Sequence, residues 1–206
     1  MSTASVIASP ARRGAPAPAD VGLWVFIGMA SSLFLLFVAA YMMRMEGSDW
    51  SAIALPWQLW LGTACLAGGS LLMQHSAFAA RRGGAAAAWN GLLAGGALAL
   101  AFVAAQWWSW QALQAAMVGA TGNPAASFFY LLTAVHGLHV VGGLVAWACT
   151  AHRLQARHDP AGDARRIALC ARYWHFLLAA WLLLFSTLTG VTPDVVRFIC
   201  GSPAGA

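Results

Sequence analysis

The sequence predicts an all-α integral membrane protein, folded as a bundle of five transmembrane helices. Of its 206 residues, 61% are hydrophobic and only 8% are charged, whereas a soluble domain contains about 25% charged residues. Five apolar runs each reach the roughly 20 residues that a helix needs to cross a bilayer. The runs are continuous rather than alternating, which excludes transmembrane strands. This composition leaves no room for a large soluble domain.

The five runs define the domain organisation. In chain order they are Val21–Met43, Leu55–Phe78, Ala86–Trp108, Ser127–Thr150 and Cys170–Val191. We expect the five-helix domain to occupy residues 20–192. We expect residues 1–19 to form a disordered cytoplasmic tail, because they are rich in Ala, Ser and Pro and lack the apolar segment of a signal peptide. Residues 193–206 predict a short periplasmic tail.

Glycine pairs lie near the middle of the second, third and fourth runs. They are Gly68 and Gly69, Gly95 and Gly96, and Gly142 and Gly143. Small residues allow helix backbones to approach closely in lipid. We interpret these pairs as contact surfaces within the bundle or against another subunit.

Arginine placement predicts the orientation. All 11 basic residues are arginines, and they lie at the ends of the apolar runs rather than in one patch, which argues against a nucleic-acid partner. Nine of them fall on one side of the predicted bundle: Arg12, Arg13, Arg81, Arg82, Arg153, Arg157, Arg165, Arg166 and Arg172. Positive residues favour the cytoplasmic side. The N-terminus is therefore expected inside and the C-terminus outside a bacterial cytoplasmic (inner) membrane.

Histidines are the main ionisable residues inside the runs, which contain no interior Asp, Glu, Lys or Arg. A small transporter would normally carry buried charges or broken helices, so this class is disfavoured. His136 and His139 stand three residues apart and project from one helix face. His175 lies in the fifth run.

A shared haem is one possible role for these histidines. At 1.5 Å per residue, His139 would lie about 16 Å from the inner end of its helix and His175 about 7 Å. The offset of roughly 9 Å is poor for two axial ligands of one haem. We therefore interpret His136 and His139 as a packing and hydrogen-bonding face between the fourth and fifth helices. An independent bis-histidine haem protein is the alternative of another class.

Two motifs resemble a known family. SFFYLLTAVHGLHVVGG (127–143) and RYWHF (172–176), with 36 residues between the last histidines of HGLH and YWH, resemble the two signatures of subunit III of the haem–copper oxidases. VGLWVFIG (21–28) resembles the opening of the same bundle, and the resemblance extends over residues 21–191. The polar matches, for which the resemblance implies interhelical hydrogen bonds, are Gln106, His136, His139, Tyr173, Trp174 and His175.

The resemblance implies an accessory subunit of the five-span form. Such a subunit binds no cofactor itself; haem and copper belong to the partner subunits I and II. It packs against subunit I, holds phospholipids and supports proton uptake in a complex that passes electrons from cytochrome c to oxygen. Accessory subunits of quinol oxidases and of nitric oxide reductases are alternatives within the same fold. Possible contacts with lipid headgroups are Arg81, Arg82, Arg165 and Arg166.

Two positions depart from the family pattern. The family usually carries an acidic residue shortly after the opening motif and another two residues after Tyr-Trp-His-Phe. This sequence has Ala30 and Leu178 there. A role for those acids in proton supply therefore cannot be transferred to this chain.

Overall fold

The computed structural model describes residues 18–45, 47–116, 118–119, 122–156 and 159–191. Its five helices are α1 (Pro18–Arg44), α2 (Gln58–Arg81), α3 (Ala85–Ala115), α4 (Pro124–Ala156) and α5 (Pro160–Gly190). These residues contain no strand, and the predicted all-α helical bundle is confirmed. Most of the predicted N-terminal tail, and the C-terminal tail, lie outside the described residues. Residues 18 and 19, assigned above to that tail, begin α1 instead.

The helices are longer than the apolar runs that predict them. α5 begins ten residues before Cys170, because the Asp159 side chain caps its first turn by accepting from the Gly162 amide at 3.2 Å, and Pro160 suits the first helical position. At the start of α4, Asn123 Oδ1 accepts from the Ala125 amide at 3.0 Å. The length of an apolar run reflects the thickness of the membrane, whereas these caps determine where the helix begins.

α5 lies at the centre of the bundle and packs against α1, α2 and α4. α2 and α3 form an antiparallel pair joined by a short turn in which Gly83 has a φ of 78°, a conformation that favours glycine. α3 also packs against α4, while α1 touches only α4 and α5 among its principal contacts. The largest fully buried side chains include the aromatic residues Phe102, Trp174 and Trp181, around which aliphatic residues such as Leu66 and Leu92 complete the core.

Glycines bring the α2 and α3 backbones together. A Cβ at Gly69 would lie 3.3 Å from the Gly95 carbonyl oxygen, and a Cβ at Gly95 would lie 3.2 Å from the Gly69 carbonyl oxygen. Further along, a Cβ at Gly91 would lie 3.0 Å from the Ser76 Cβ. Ser76 also donates to the Ala88 carbonyl at 2.5 Å. At this crossing the two backbones meet directly, whereas Gly96 and Gly143 make room for side chains of neighbouring helices.

Four of the described helices, α1, α3, α4 and α5, are long and apolar enough to cross a membrane. α2 has 24 residues but is less apolar, since it carries Ser70, Gln74 and His75 in its middle. None of the buried polar side chains in the described residues is charged. The five crossings predicted above therefore include one helix, α2, with polar groups in its middle, of which Ser70 is buried and His75 is exposed.

The arginine-rich helix ends lie together. Asp20 at the start of α1 accepts from Arg165 at 2.5 Å and from Arg172 at 3.0 Å, both on α5. The turn after α2 and the turn between α4 and α5 line one cavity, which includes Gly83 and Pro160. The arginines predicted to face the cytoplasm, where described, thus lie at one end of the bundle. Which side of the membrane that end faces stays a prediction.

Candidate functional site

His136 lies where four helices meet. Its side chain is fully buried. Its ring packs against Phe102 of α3, Phe34 of α1 and Trp181 of α5, with centroids 5.6, 6.1 and 5.1 Å away. Neither ring nitrogen has a hydrogen-bond partner among the described residues. The residue is therefore an aromatic packing element, which differs from the hydrogen-bonding role expected of it.

His139 lies one turn further along α4 and faces α1. Its Nδ1 donates to the Val135 carbonyl at 2.8 Å, so the proton is assigned to Nδ1. Its ring packs against Phe26 and Phe34, with centroids 6.0 and 5.1 Å away. The link to α5 runs through the backbone, because the Tyr173 hydroxyl donates to the His139 carbonyl at 3.0 Å. A face between α4 and α5 exists, but Tyr173 rather than an imidazole joins its two sides.

Gly143 is the point at which α5 comes closest to α4. A Cβ there would lie 2.8 Å from the Trp174 ring, 2.9 Å from the Tyr173 ring and 3.1 Å from Leu177, all shorter than the optimal contact between carbon atoms. Gly142 differs from the expectation of close approach. It is exposed, and a Cβ there would have no neighbour within 4 Å.

His175 faces α2 rather than α4. Ser70 Oγ lies 2.5 Å from its Nδ1, and Gln74 Oε1 lies 2.9 Å from its Nε2. Because an amide oxygen only accepts, Nε2 carries the proton, and Nδ1 accepts from the Ser70 hydroxyl. The structure thus places His175 apart from His136 and His139, on the side of α5 that faces α2.

Two further polar matches form no interhelical hydrogen bond within the described residues. Gln106 is buried, and its Nε2 donates to Ser109 Oγ at 3.2 Å inside α3. Trp174 is fully buried, and its Nε1 has no partner there. Its ring is used instead to fill the space beside Gly143.

Two tryptophans missed by the sequence analysis do bond between helices. Trp181 Nε1 donates to Thr63 Oγ1 of α2 at 2.8 Å, and Trp147 Nε1 donates to the Leu92 carbonyl of α3 at 2.8 Å. A buried indole usually finds a partner for its N–H group. Trp181 lies in the middle of its apolar run, a position that could have identified it from the sequence.

The site positions helices and offers little reactive chemistry. Among the described residues, no group of three or more His, Cys, Asp and Glu side chains could hold a metal ion. Ala30 is buried on α1 and Leu178 is half-buried on α5, so both positions where the family carries acids are apolar here. That this chain binds no cofactor of its own stays a prediction.

The four arginines predicted to contact lipid headgroups fall into two pairs. They are Arg81, Arg82, Arg165 and Arg166. The last two are already in ion pairs, with Asp20 at 2.5 Å and Asp163 at 2.9 Å. The first two are exposed at the end of α2 and form no ion pair with the described residues. Only that first pair keeps both guanidinium groups free for an anionic headgroup.

Comparison with known proteins identifies the family. The model of the family described as cytochrome c oxidase subunit III matches residues 21–190, from the first turn of α1 to the end of α5. The chain belongs to the cytochrome c oxidase subunit III family. Its helices also make it a multi-pass membrane protein.

Relatives within the subunit III family come from several organisms. A probable cytochrome c oxidase subunit 3 of Nocardia farcinica is 29% identical over 126 residues, covering 61% of this chain and 62% of the relative. The cytochrome c oxidase subunit 3 of Synechocystis sp. is 29% identical over 175 residues, covering 80% and 72%. A probable quinol oxidase subunit 3 of Staphylococcus aureus is 32% identical over 62 residues, covering 30% and 31%. The match thus spans less than two thirds of the Nocardia protein.

Proposed function

We propose that this chain is the accessory subunit III of a bacterial haem–copper terminal oxidase in the cytoplasmic membrane. The observation that carries the proposal is the family match over residues 21–190. The complete complex would transfer electrons from cytochrome c to oxygen and couple this transfer to proton translocation. The chain itself would pack against the large haem-bearing subunit I and supply no haem or copper.

The interior of the bundle supports a structural role. The family motif residue His136 packs among aromatic rings, and Tyr173 ties α5 to the α4 backbone at His139. The buried side chains of the described residues include no charged group, and autonomous ion transport normally needs one within the membrane. We therefore assign the redox and transport chemistry of the complex to its partner subunits.

A quinol oxidase is the second candidate for the parent complex. The Staphylococcus aureus relative favours it, because that protein is named a probable quinol oxidase subunit 3. The electron donor would dock on other subunits in either complex. The two candidates therefore differ in the substrate of the complex and not in the role of this chain.

The orientation belongs to the same proposal. The exposed Arg81 and Arg82 and the ion-paired Arg165 lie at one end of the bundle, and we assign that end to the cytoplasm. Reporter fusions that are active only in the periplasm, placed at each terminus, test the assignment. Activity at the C-terminus alone is expected, and activity at the N-terminus would reverse it.

The decisive experiment is purification from the native membrane. A tagged chain is extracted in mild detergent, its companions are identified by mass spectrometry, and oxygen consumption is measured with reduced cytochrome c and, separately, with a quinol. Recovery of a large haem-bearing subunit together with oxygen consumption is expected, and the active donor decides between the two complexes. A chain that purifies alone and shows haem absorbance would overturn the proposal in favour of a bis-histidine haem protein.

A further inference from the structure

A cavity at the end of the bundle opposite the arginine-rich end has free hydrogen-bond donors in its wall. Its volume is about 270 Å³, and it lies between the end of α1, the segment before α2, the start of α4 and the end of α5. We propose that this cavity, which we call the Tyr41 cavity, binds the ring of a membrane quinone, with the Tyr41 hydroxyl donating to a ring carbonyl. The site goes beyond the proposed function and does not depend on it.

The Tyr41 hydroxyl faces the cavity without a partner. Tyr41 is only 4% exposed, and its ring packs edge to face against Trp50 and Phe128, with centroids 5.2 and 5.8 Å away. Its hydroxyl forms no hydrogen bond with the described residues. The oxygen is nevertheless not among the fully enclosed polar atoms that lack a partner, so it borders an open space. Since Tyr41 lines the cavity and is otherwise buried, that space is the cavity.

Trp50 supplies a second free donor to the same cavity. It is half-buried and lines the wall, and its indole N–H forms no hydrogen bond with the described residues. Thr189 also lines the wall, but it spends its hydroxyl proton on the Phe185 carbonyl at 2.8 Å. Tyr and Trp side chains usually find a partner for their polar group when they are buried. Two such groups beside one cavity therefore call for a ligand that carries acceptors.

The rest of the wall is apolar and uncharged. It includes Met45, Ile53, Leu55 and Leu188, and no charged side chain of the described residues lines it. A charged ligand group would be buried there without a partner, which is costly, so the ligand is neutral. The volume lies just below the roughly 300–1,000 Å³ that is typical of small-molecule pockets. The cavity therefore holds one substituted ring rather than a lipid with two chains.

A second cavity at the same end gives the contrast. It is lined by Arg44, Asp49 and Asn123. Arg44 and Asp49 form an ion pair with each other, and the Asn123 side chain donates to the Ser51 carbonyl at 2.5 Å. The polar groups of that cavity are thus charged or already bonded. The Tyr41 cavity differs in both respects, because its wall is uncharged and its two aromatic donors are unused.

The position of the Tyr41 cavity suits a molecule that is dissolved in the bilayer. Tyr41 lies three residues before Arg44 at the end of α1, or about 4.5 Å along the helix, and Tyr and Trp are typical of the membrane–water interface. A quinone is a flat, neutral ring with carbonyl oxygens, and its apolar tail keeps it in the membrane. A phospholipid also carries carbonyl groups, but its phosphate brings a charge beside them. The quinone is thus the occupant that the wall favours.

Photolabelling of the purified complex tests the proposal. The complex is isolated through a tag on this chain, incubated with an azido-substituted ubiquinone analogue, irradiated and digested, and labelled peptides are identified by mass spectrometry. We expect label on this chain within residues 41–55 or 188–191, and an excess of decylubiquinone should displace it. Because the label is read peptide by peptide, any quinone site on a partner subunit is distinguished from this one.

A substitution of Tyr41 measures the hydrogen bond. Tyr41→Phe removes the hydroxyl and keeps the ring, and we expect the affinity for the azido-ubiquinone analogue to weaken about fivefold, the size of one neutral hydrogen bond. Tyr130→Phe is the matched control, because the Tyr130 hydroxyl donates to the Val118 carbonyl at 3.0 Å and lies outside the cavity wall. Its labelling should not change.

A pair of alanines in the segment before α2 tests the location. Ala52 and Ala54 are both exposed, and only Ala52 lines the cavity. Ala52→Leu narrows the cavity and should reduce labelling several-fold, whereas Ala54→Leu should leave it unchanged. Circular dichroism establishes that each variant folds.

The other results overturn the quinone site. Absence of label from residues 41–55 and 188–191, or unchanged labelling in folded Tyr41→Phe or Ala52→Leu, contradicts it. Displacement of the label by dioleoylphosphatidylglycerol as effectively as by decylubiquinone would make the cavity a lipid site instead. If the chain is recovered without a large haem-bearing subunit but is labelled at the cavity, the proposed function fails and the quinone site stands.

Discussion

α2 and α1 differ in how each is held in the bundle. At Gly91, α2 approaches so closely that a Cβ would lie 3.2 Å from the Leu72 carbonyl oxygen, and Ser76 donates to the α3 backbone at Ala88. α1 has only 17% of its most apolar window buried. Its principal attachments are Phe34 beside the α4 histidines and Asp20 beside the arginines of α5.

This difference shows that the polarity of a helix determines whether protein or lipid must cover it. α2 is the one described helix that is not apolar enough to qualify as a span by composition, and three of its polar side chains, Ser70, Gln74 and Ser76, find partners on α3 and α5. α1 is apolar around most of its circumference and can be covered by lipid. A helix with polar groups needs protein contacts to stay in a bilayer, whereas an apolar helix needs few.

The largest expected effect is at the α2–α3 crossing. Gly91→Leu forces a side chain against the α2 backbone, and we expect it to lower the free energy of unfolding by about 3 kcal/mol, the upper part of the range for overpacking. Gly28→Leu on α1 is the matched control, since a Cβ there meets nothing within 4 Å, and it should be nearly neutral. Unfolding of the purified protein by SDS titration in detergent measures both. Equal losses would mean that α1 is packed as tightly as α2.

The second prediction concerns His136, which lies between the two regions. His136→Ala leaves a cavity among Phe34, Phe102 and Trp181, and we expect it to cost about 2 kcal/mol. His136→Phe keeps the ring and removes two nitrogens that have no described partner, so it should change the free energy of unfolding by less than about 0.5 kcal/mol. The same titration compares the two variants. A large loss in His136→Phe would show that the imidazole nitrogens make an essential bond.

A smaller effect is expected at the start of α1. Asp20→Asn breaks the ion pairs to Arg165 and Arg172, whose side chains are 45% and 46% exposed. Partly exposed ion pairs contribute about 0.5 kcal/mol each or less, and salt screens them. Thermal unfolding at low and at high salt should therefore show a modest loss for Asp20→Asn that disappears at high salt. A loss that persists at high salt would indicate that Asp20 holds α1 by more than charge.

The smallest effect lies at the opposite end of α1. The hydrogen bond from Arg44 lowers the pKa of Asp49 below its ordinary value. A lowered carboxyl pKa stabilises the fold above the unfolded pKa, about 3.9, and this contribution is lost as the pH falls through the folded value. The melting temperatures of the native protein and of Asp49→Asn should therefore differ slightly at pH 6, and the difference should shrink as the pH falls below the unfolded value of about 3.9. A difference that grows with acidity would contradict this sign.

Much of the fold could be predicted from the apolarity and the length of the runs, because a helix that crosses a bilayer needs both. The five predicted runs each lie within or close to one observed helix. The predicted runs stop at Thr150 and resume at Cys170, whereas α4 continues to Ala156 and α5 begins at Pro160. α5 extends beyond its apolar run because the polar Asp159 caps its start, and hydropathy does not report such a cap.

The site was less predictable for a geometric reason. Spacing correctly places His136 and His139 on related turns of α4, but it does not say how far each neighbouring helix is rotated about its own axis. That rotation turns His175 toward Ser70 on α2 and brings Tyr173 to the α4 backbone. Gly142 is exposed for a related reason. Adjacent residues on a helix point about 100° apart, so of these two glycines only Gly143 faces α5.

The short turn between α2 and α3 has a consequence for biogenesis. α2 carries two glutamines, a histidine and several hydroxyl groups, and as a separate segment it would insert poorly from the translocon into the bilayer. α3 follows after only three residues, 82–84, and offers the carbonyl that Ser76 needs. We therefore expect the two helices to enter the bilayer together as a helical hairpin, with α3 carrying its more polar partner across during synthesis.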